Sequence, residues 1–100
     1  MRKYKVELYP RALRDLDEIY QYIFEKLQAP ENAMGQLERL ENGILGLEHM
    51  PYRCAERKTG AYANRGYREL LVDNYIVIYK VQEETEEVHV VTVQYNRRNL

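Results

Sequence analysis

Serine and tryptophan are missing from this 100-residue chain, which has one cysteine, one phenylalanine and two histidines. Without serine no Ser-His-Asp hydrolase can be assembled. The lone Cys54 excludes an internal disulfide and makes a reducing cytoplasm the expected setting. Two histidines and one cysteine fall short of a Cys/His zinc site, and no metal-ligand spacing stands out, so neither a metal nor another cofactor is expected. Neither GxGxxG nor GxxxxGK[ST] occurs, which removes dinucleotide and P-loop chemistry. Five glycines and three prolines exclude collagen-like and low-complexity classes. No apolar run nears the roughly 18 residues that cross a bilayer. The opening MRKYKVELYP has no signal-peptide core, so no membrane is expected among the partners.

What is present suits one soluble domain spanning residues 1–100: 45% hydrophobic and 31% charged residues in 12.0 kDa. Ten tyrosines are the one excess, and most of them, Tyr67, Tyr75, Tyr79 and Tyr95 included, are expected in the core or at its rim. The net charge of −1 conceals segregation. Residues 1–14 and 49–68 each carry five cations against one acid, whereas 15–48 carry eight acids against Lys26 and Arg39. Such blocks create local fields even at a pI near 6.1, but that pI argues against affinity supplied by phosphate attraction alone.

Alternation over Lys3 to Tyr9 predicts a half-buried strand, ended by Pro10. Leu13, Leu16, Tyr20, Ile23 and Leu27 then recur at steps of three and four and predict an amphipathic helix. A second helix starts at Pro30 or Glu31 with a stripe of Ala33, Leu37, Leu40, Ile44 and Leu47 and stops before Pro51. Gly43 and Gly46 within it each cost about 1 kcal/mol against alanine, a cost tolerable where a neighbour packs closely. The short connection predicts an antiparallel helix hairpin. Residues 51–66 lack a sustained period and read as a basic loop with room for one short strand. Three strands follow: Tyr67 to Val72, Tyr75 to Val81 and Val88 to Tyr95. Asp73-Asn74 makes the first turn, and YIVIYKV is apolar enough for a central position. The expected class is α+β, order β-α-α-β-β-β, with the helix hairpin packed on a twisted, mainly antiparallel sheet.

In that order, RALRDLDEIYQYI, PENA, LEHMPYR, NYIVIYKV and VQYNRRNL resemble the RelE/ParE superfamily of type II toxin–antitoxin toxins across nearly the whole chain. The resemblance implies a small bacterial toxin neutralised by a cognate antitoxin in a hetero-oligomer. It offers two activities. RelE-like members cut mRNA on the ribosome and carry an arginine on the central strand shortly before its tyrosine. Here that stretch is Tyr75-Ile76-Val77-Ile78-Tyr79, without a cation, and the chain ends at Asn99-Leu100 without the usual tyrosine or histidine. The ParE-like branch, associated with DNA gyrase inhibition, needs a protein-binding surface and no catalytic constellation, and it is the expected one. The alternative is a ribosome-dependent endoribonuclease using Arg65, Arg68, Arg97 and Arg98.

Under either activity, Arg53, Arg57, Lys58, Arg65 and Arg68, with Tyr95, Arg97 and Arg98, are the candidate partner-binding residues. Five cations meeting one acid over 49–68 is the reason for choosing the loop. Ile19, Phe24 and Met34 are the expected apolar rim of an antitoxin groove. His49 and His89 read as surface residues, and Cys54 as structurally indifferent despite its neighbour Arg53.

Overall fold

The computed structural model describes residues 3–26 and 30–95. Its elements are β1 (Lys5–Leu8), α1 (Pro10–Lys26), α2 (Pro30–Leu45), β2 (Arg68–Val72), β3 (Tyr75–Gln82) and β4 (Glu87–Tyr95), with one 3-10 turn over Gly46–Glu48. This is the α+β order that the periodicities predict. The four strands lie in the order β1-β4-β3-β2. β3 runs antiparallel to both neighbours, while β1 pairs parallel with β4, Glu7 opposite His89. A parallel pair requires a long crossover, and the helix hairpin lies within it. The inner position of β3 accounts for its apolar run, since Tyr75 to Tyr79 are all buried.

The hairpin covers one face of the sheet. Tyr4, Leu70, Val77, Tyr79, Val88 and Val90 meet Ala12, Leu40, Ile44 and Leu47 in the main core, and Ile23 with Leu37 forms a smaller cluster. Leu37, Leu40 and Ile44 of the α2 stripe, and Leu47 in the 3-10 turn after it, are therefore buried as expected, while the side chain of Ala33 lies outside those described. The stripe of α1 is rotated by about one residue: Ala12 and Ile23 are buried and Leu16 and Ile19 half-buried, whereas Leu13 and Tyr20 are 53% and 46% exposed. Leu27, the last member of the predicted stripe, lies outside the described residues. The rotation has a polar cause, because Asp15 points at β4 and is held there by hydrogen bonds.

Gly43 earns its place by close approach. A Cβ there would sit 3.0 Å from Val72 Cγ2 and 3.3 Å from Leu70 Cδ2, so α2 rests directly on β2. The β2–β3 turn has Asp73 at φ 52°, the left-handed region that a short Asp side chain tolerates. Between β3 and β4 the register slips: Ile78 faces Thr92 and Tyr79 faces Val90, leaving Val91 as a bulge.

Within residues 51–67 an isolated β-bridge, and no strand, takes the place for which the sequence left room. Glu56 bridges antiparallel to Arg68, the Arg57 N–H donates to Tyr67 O at 2.8 Å, and the Glu69 N–H donates to Ala55 O at 3.1 Å. Beyond it Gly60, Tyr62, Asn64 and Gly66 all take positive φ, from 55° to 85°. For Tyr62 that is a strained conformation, held by its edge contact with the Tyr67 ring at 5.0 Å.

Candidate functional site

The basic loop is anchored at its root before it presents any charge. The Tyr79 hydroxyl donates to Pro51 O at 2.6 Å from within the core. Burial, then the neighbouring Cys54 thiol, push that phenol upward, so it stays a neutral donor. Beside it the Tyr4 hydroxyl donates to Glu83 Oε1 at 2.9 Å, and the Tyr52 hydroxyl donates to Glu83 Oε2 in a short hydrogen bond. One carboxylate thus ties the N-terminal segment and the loop to the β3–β4 turn.

The hydrogen bond to Glu83, followed by desolvation, raises the Tyr52 pKa to about 12. Because the folded value exceeds the unfolded one, the stability from this pair is complete below about pH 10 and disappears as pH climbs through about 12. Glu83→Gln is expected to return Tyr52 toward 10.0 in a spectroscopic tyrosinate titration. An unchanged titration curve in that variant would refute the assignment.

The loop cations divide into two sorts. Arg57, expected on the rim, is 8% exposed: its guanidinium holds Glu69 Oε2 at 2.7 Å and Ala61 O at 2.7 Å. Arg68 is half-buried. It donates to Cys54 O at 2.5 Å, approaches Glu56 at 3.9 Å and lies 5.1 Å over the Tyr52 ring, a geometry in which a cation is attracted to the π face. Arg57 is therefore corrected from the rim to the interior, and Arg68 is engaged within the fold while keeping part of its side chain exposed. Arg53, Lys58 and Arg65 remain exposed. Tyr95 is 49% exposed and meets the Tyr75 ring edge-on, while Arg97 and Arg98 lie outside the described residues.

On the sheet face turned from the helices, Ile76 and Ile78 are 5% and 0% exposed. Their cross-strand partners are Leu71 and Glu69 on β2 and Gln94 and Thr92 on β4. Lys80 is the cation on β3, and its ammonium sits 5.3 Å over the Tyr67 ring. Among the described residues the middle strand thus contributes buried aliphatic side chains to this face and no guanidinium.

The helices present a different surface. Leu13, Leu16, Asp17 and Tyr20 of α1 and Leu37, Leu40 and Glu41 of α2 line a groove of about 320 Å³. Of the expected rim, Met34 is 49% exposed, whereas Ile19 and Phe24 are half-buried against the Ile23–Leu37 cluster, Phe24 also stacking on Tyr20 at 4.6 Å. Leu13 and Tyr20 escape a sequence reading because their spacing assigns them to the core. A second cleft of about 460 Å³ lies between α1 and the ends of β3 and β4, among Asp15, Glu18, Ile19, Tyr22, Tyr75, Val93 and Tyr95. His49 is exposed, but the His89 side chain is only 16% exposed. No helix among the described residues is long and apolar enough to cross a membrane.

Comparison with known proteins agrees with this architecture. Residues 6–100 match the family model described as the ParE toxin of the type II toxin–antitoxin system parDE. No curated protein sequence matches significantly. Among solved structures, the chromosomal ParDE system of P. aeruginosa superposes with a TM-score of 0.70 at 19% identity, covering 93% of this chain and 96% of that one. The RelBE2 toxin–antitoxin complex of Mycobacterium tuberculosis gives 0.65 at 20% identity over 95% and 93%. The isolated E. coli RelE toxin gives 0.62 at 20% identity over 95% and 86%. At these identities the likeness establishes a shared fold.

Proposed function

This chain belongs to the ParE toxin family of type II toxin–antitoxin systems, and from that premise we propose that it arrests growth as a ParE-like inhibitor of DNA gyrase, held inactive by a cognate antitoxin. The observation that carries the gyrase reading is that β3 holds aliphatic, buried Ile76 and Ile78 where a cleaving enzyme would need a cation, while Arg57 and Arg68 are engaged within the fold. Cleaving a phosphodiester requires cations free to stabilise the phosphorane, a group to orient the 2′-OH and a donor for the leaving oxygen. Arg57 is committed to Glu69 and Arg68 to the Cys54 carbonyl and the Tyr52 ring. A protein-binding mode needs none of that chemistry. Exposed Arg53, Lys58 and Arg65 serve it as rim charges, which tune association more than they anchor it.

The antitoxin reading draws on relatives solved as toxin–antitoxin systems and on the interhelical groove. An amphipathic segment laid there covers Leu13 and Tyr20 and meets Asp17 and Glu41 at the edges. A permanent complex of this kind buries about 2,000 Å² or more, and the chain purified without its antitoxin is expected to self-associate.

Gyrase supercoiling and cleavage-complex assays, with and without antitoxin, test the proposal. Supercoiling is expected to fall and cleavage complexes to accumulate, and antitoxin is expected to reverse both. Codon-phased mRNA 3′ ends in a translation extract, lost on Arg98→Ala, would establish the endoribonuclease instead. Normal growth on expression without antitoxin would eliminate both activities.

A further inference from the structure

The parallel register of β1 and β4 brings together three donor groups that lie far apart in the sequence. Glu7 faces His89 across the pair, and Glu87 lies two residues before His89 on the same side of β4. His89 Nε2 is 3.2 Å from Glu87 Oε1 and 3.7 Å from Glu7 Oε2, and one ligand atom from each residue lies within 4.8 Å of the others. All three residues are half-buried. From these positions we infer that Glu7, Glu87 and His89 form a binding site for a divalent transition-metal ion of the zinc class.

The distances suit such an ion. Bonds of about 2.0–2.1 Å to nitrogen and oxygen place tetrahedral ligand atoms roughly 3.3 Å apart, between the two separations measured from His89. One imidazole with two carboxylates matches zinc and its borderline neighbours, whereas magnesium prefers an all-oxygen octahedral shell. The outer contacts also point the right way. The Tyr9 hydroxyl lies 3.0 Å from His89 Nδ1, which fixes the ring and leaves Nε2 as the ligating nitrogen once the proton resides on Nδ1. The Lys5 ammonium takes Glu7 Oε1 at 3.5 Å, so it is the other oxygen, Oε2, that faces the imidazole. The Thr85 hydroxyl donates to Glu87 Oε1 at 2.9 Å and orients that carboxylate. Three protein ligands leave a fourth position for water, and the ion joins the edge strand to its neighbour.

The site is testable on the full-length chain stripped with chelator. Zinc chloride followed by calorimetry is expected to show one equivalent bound, with no heat from magnesium. Zinc at about 100 times Kd is expected to raise the Tm by roughly 10 °C or more. Tyr9→Phe is expected to weaken binding about 10-fold, and His89→Gln or Glu7→Gln to weaken it further, while His49→Gln, at the only other histidine, leaves it unchanged. Circular dichroism in chelator checks that each variant folds, and Glu7→Gln serves if His89→Gln does not. Zinc binding that survives Glu7→Gln and Glu87→Gln, or wild-type protein with no zinc-dependent rise in Tm, would overturn the inference.

Discussion

Arg57→Ala is expected to cost about 3 kcal/mol or more of folding stability, the range for removing one partner of a buried ion pair. For a domain this size that means a fall in Tm of more than about 12 °C. The pair is well made: the side chains are 9% and 20% exposed, Nη1 meets Glu69 Oε2 at 2.7 Å, and Nε also holds Ala61 O at 2.7 Å. Truncation strands a half-covered carboxylate on β2 and frees the loop carbonyl that the guanidinium gathers in. Arg57→Met with Glu69→Leu is expected to recover most of the loss, since replacing both charges by apolar groups of similar volume removes the unpaired ion. Lys58→Ala and Arg65→Ala, at exposed positions, are expected to stay within about 0.5 kcal/mol of the parent protein. Denaturant melts of the four variants measure this. An Arg57→Ala protein that melts within about 4 °C of the parent contradicts the prediction.

That series also separates structural from contact roles. If Arg57→Ala abolishes growth arrest and the Arg57→Met, Glu69→Leu protein restores it, the loop needs the shape that the pair maintains and not the Arg57 charge. If Lys58→Ala and Arg65→Ala lose activity at unchanged stability, those two side chains touch the target.

The limits of a sequence reading follow from how far apart the interacting residues lie. The α2 stripe, the central position of β3 and the place of Gly43 are legible because each rests on local periodicity or on a residue whose cost demands a packing reason. Arg57 is misread because nothing within the loop reveals Glu69 twelve residues on, across a bridge that only folding creates. The half-buried set of Glu7, Glu87 and His89 is invisible for the same reason, since the parallel β1–β4 pairing that assembles it spans some eighty residues. Leu13 and Tyr20 fail differently. Their spacing is helical and apolar, so periodicity assigns them to the core, yet the helix turns Ala12 and Asp15 inward instead.

Asp15 is the reason for that turn, and Asp15→Ala is expected to destabilise the fold by about 2–4 kcal/mol, from two buried donors left without an acceptor. Its Oδ2 accepts from the Thr92 hydroxyl in a short hydrogen bond and from the Val93 N–H at 3.1 Å. Thr92 is 0% exposed and Val93 3% exposed, so water cannot readily replace the carboxylate. Both donors lie beyond Val90, the last β4 residue paired with β1, so this part of β4 has a strand neighbour only in β3 and its other edge needs a partner from outside the sheet. Asp15→Asn keeps one acceptor oxygen and is expected to lose about half as much. Thr92→Val, which keeps the shape and deletes one donor, is expected to cost about 1 kcal/mol. The ordering therefore discriminates: a polar latch predicts alanine at 15 to be worst, whereas plain helix–sheet packing predicts Asp15→Ala to be neutral or stabilising through its better helix propensity. With the latch removed α1 is free to roll its apolar residues inward, drawing Leu13 and Tyr20 out of the groove. Asp15→Ala is then expected to weaken antitoxin binding although residue 15 does not line that groove. Calorimetric titration with antitoxin at a temperature where the variant is still folded measures that loss, and unchanged affinity would mean that packing, not Asp15, sets the roll of the helix.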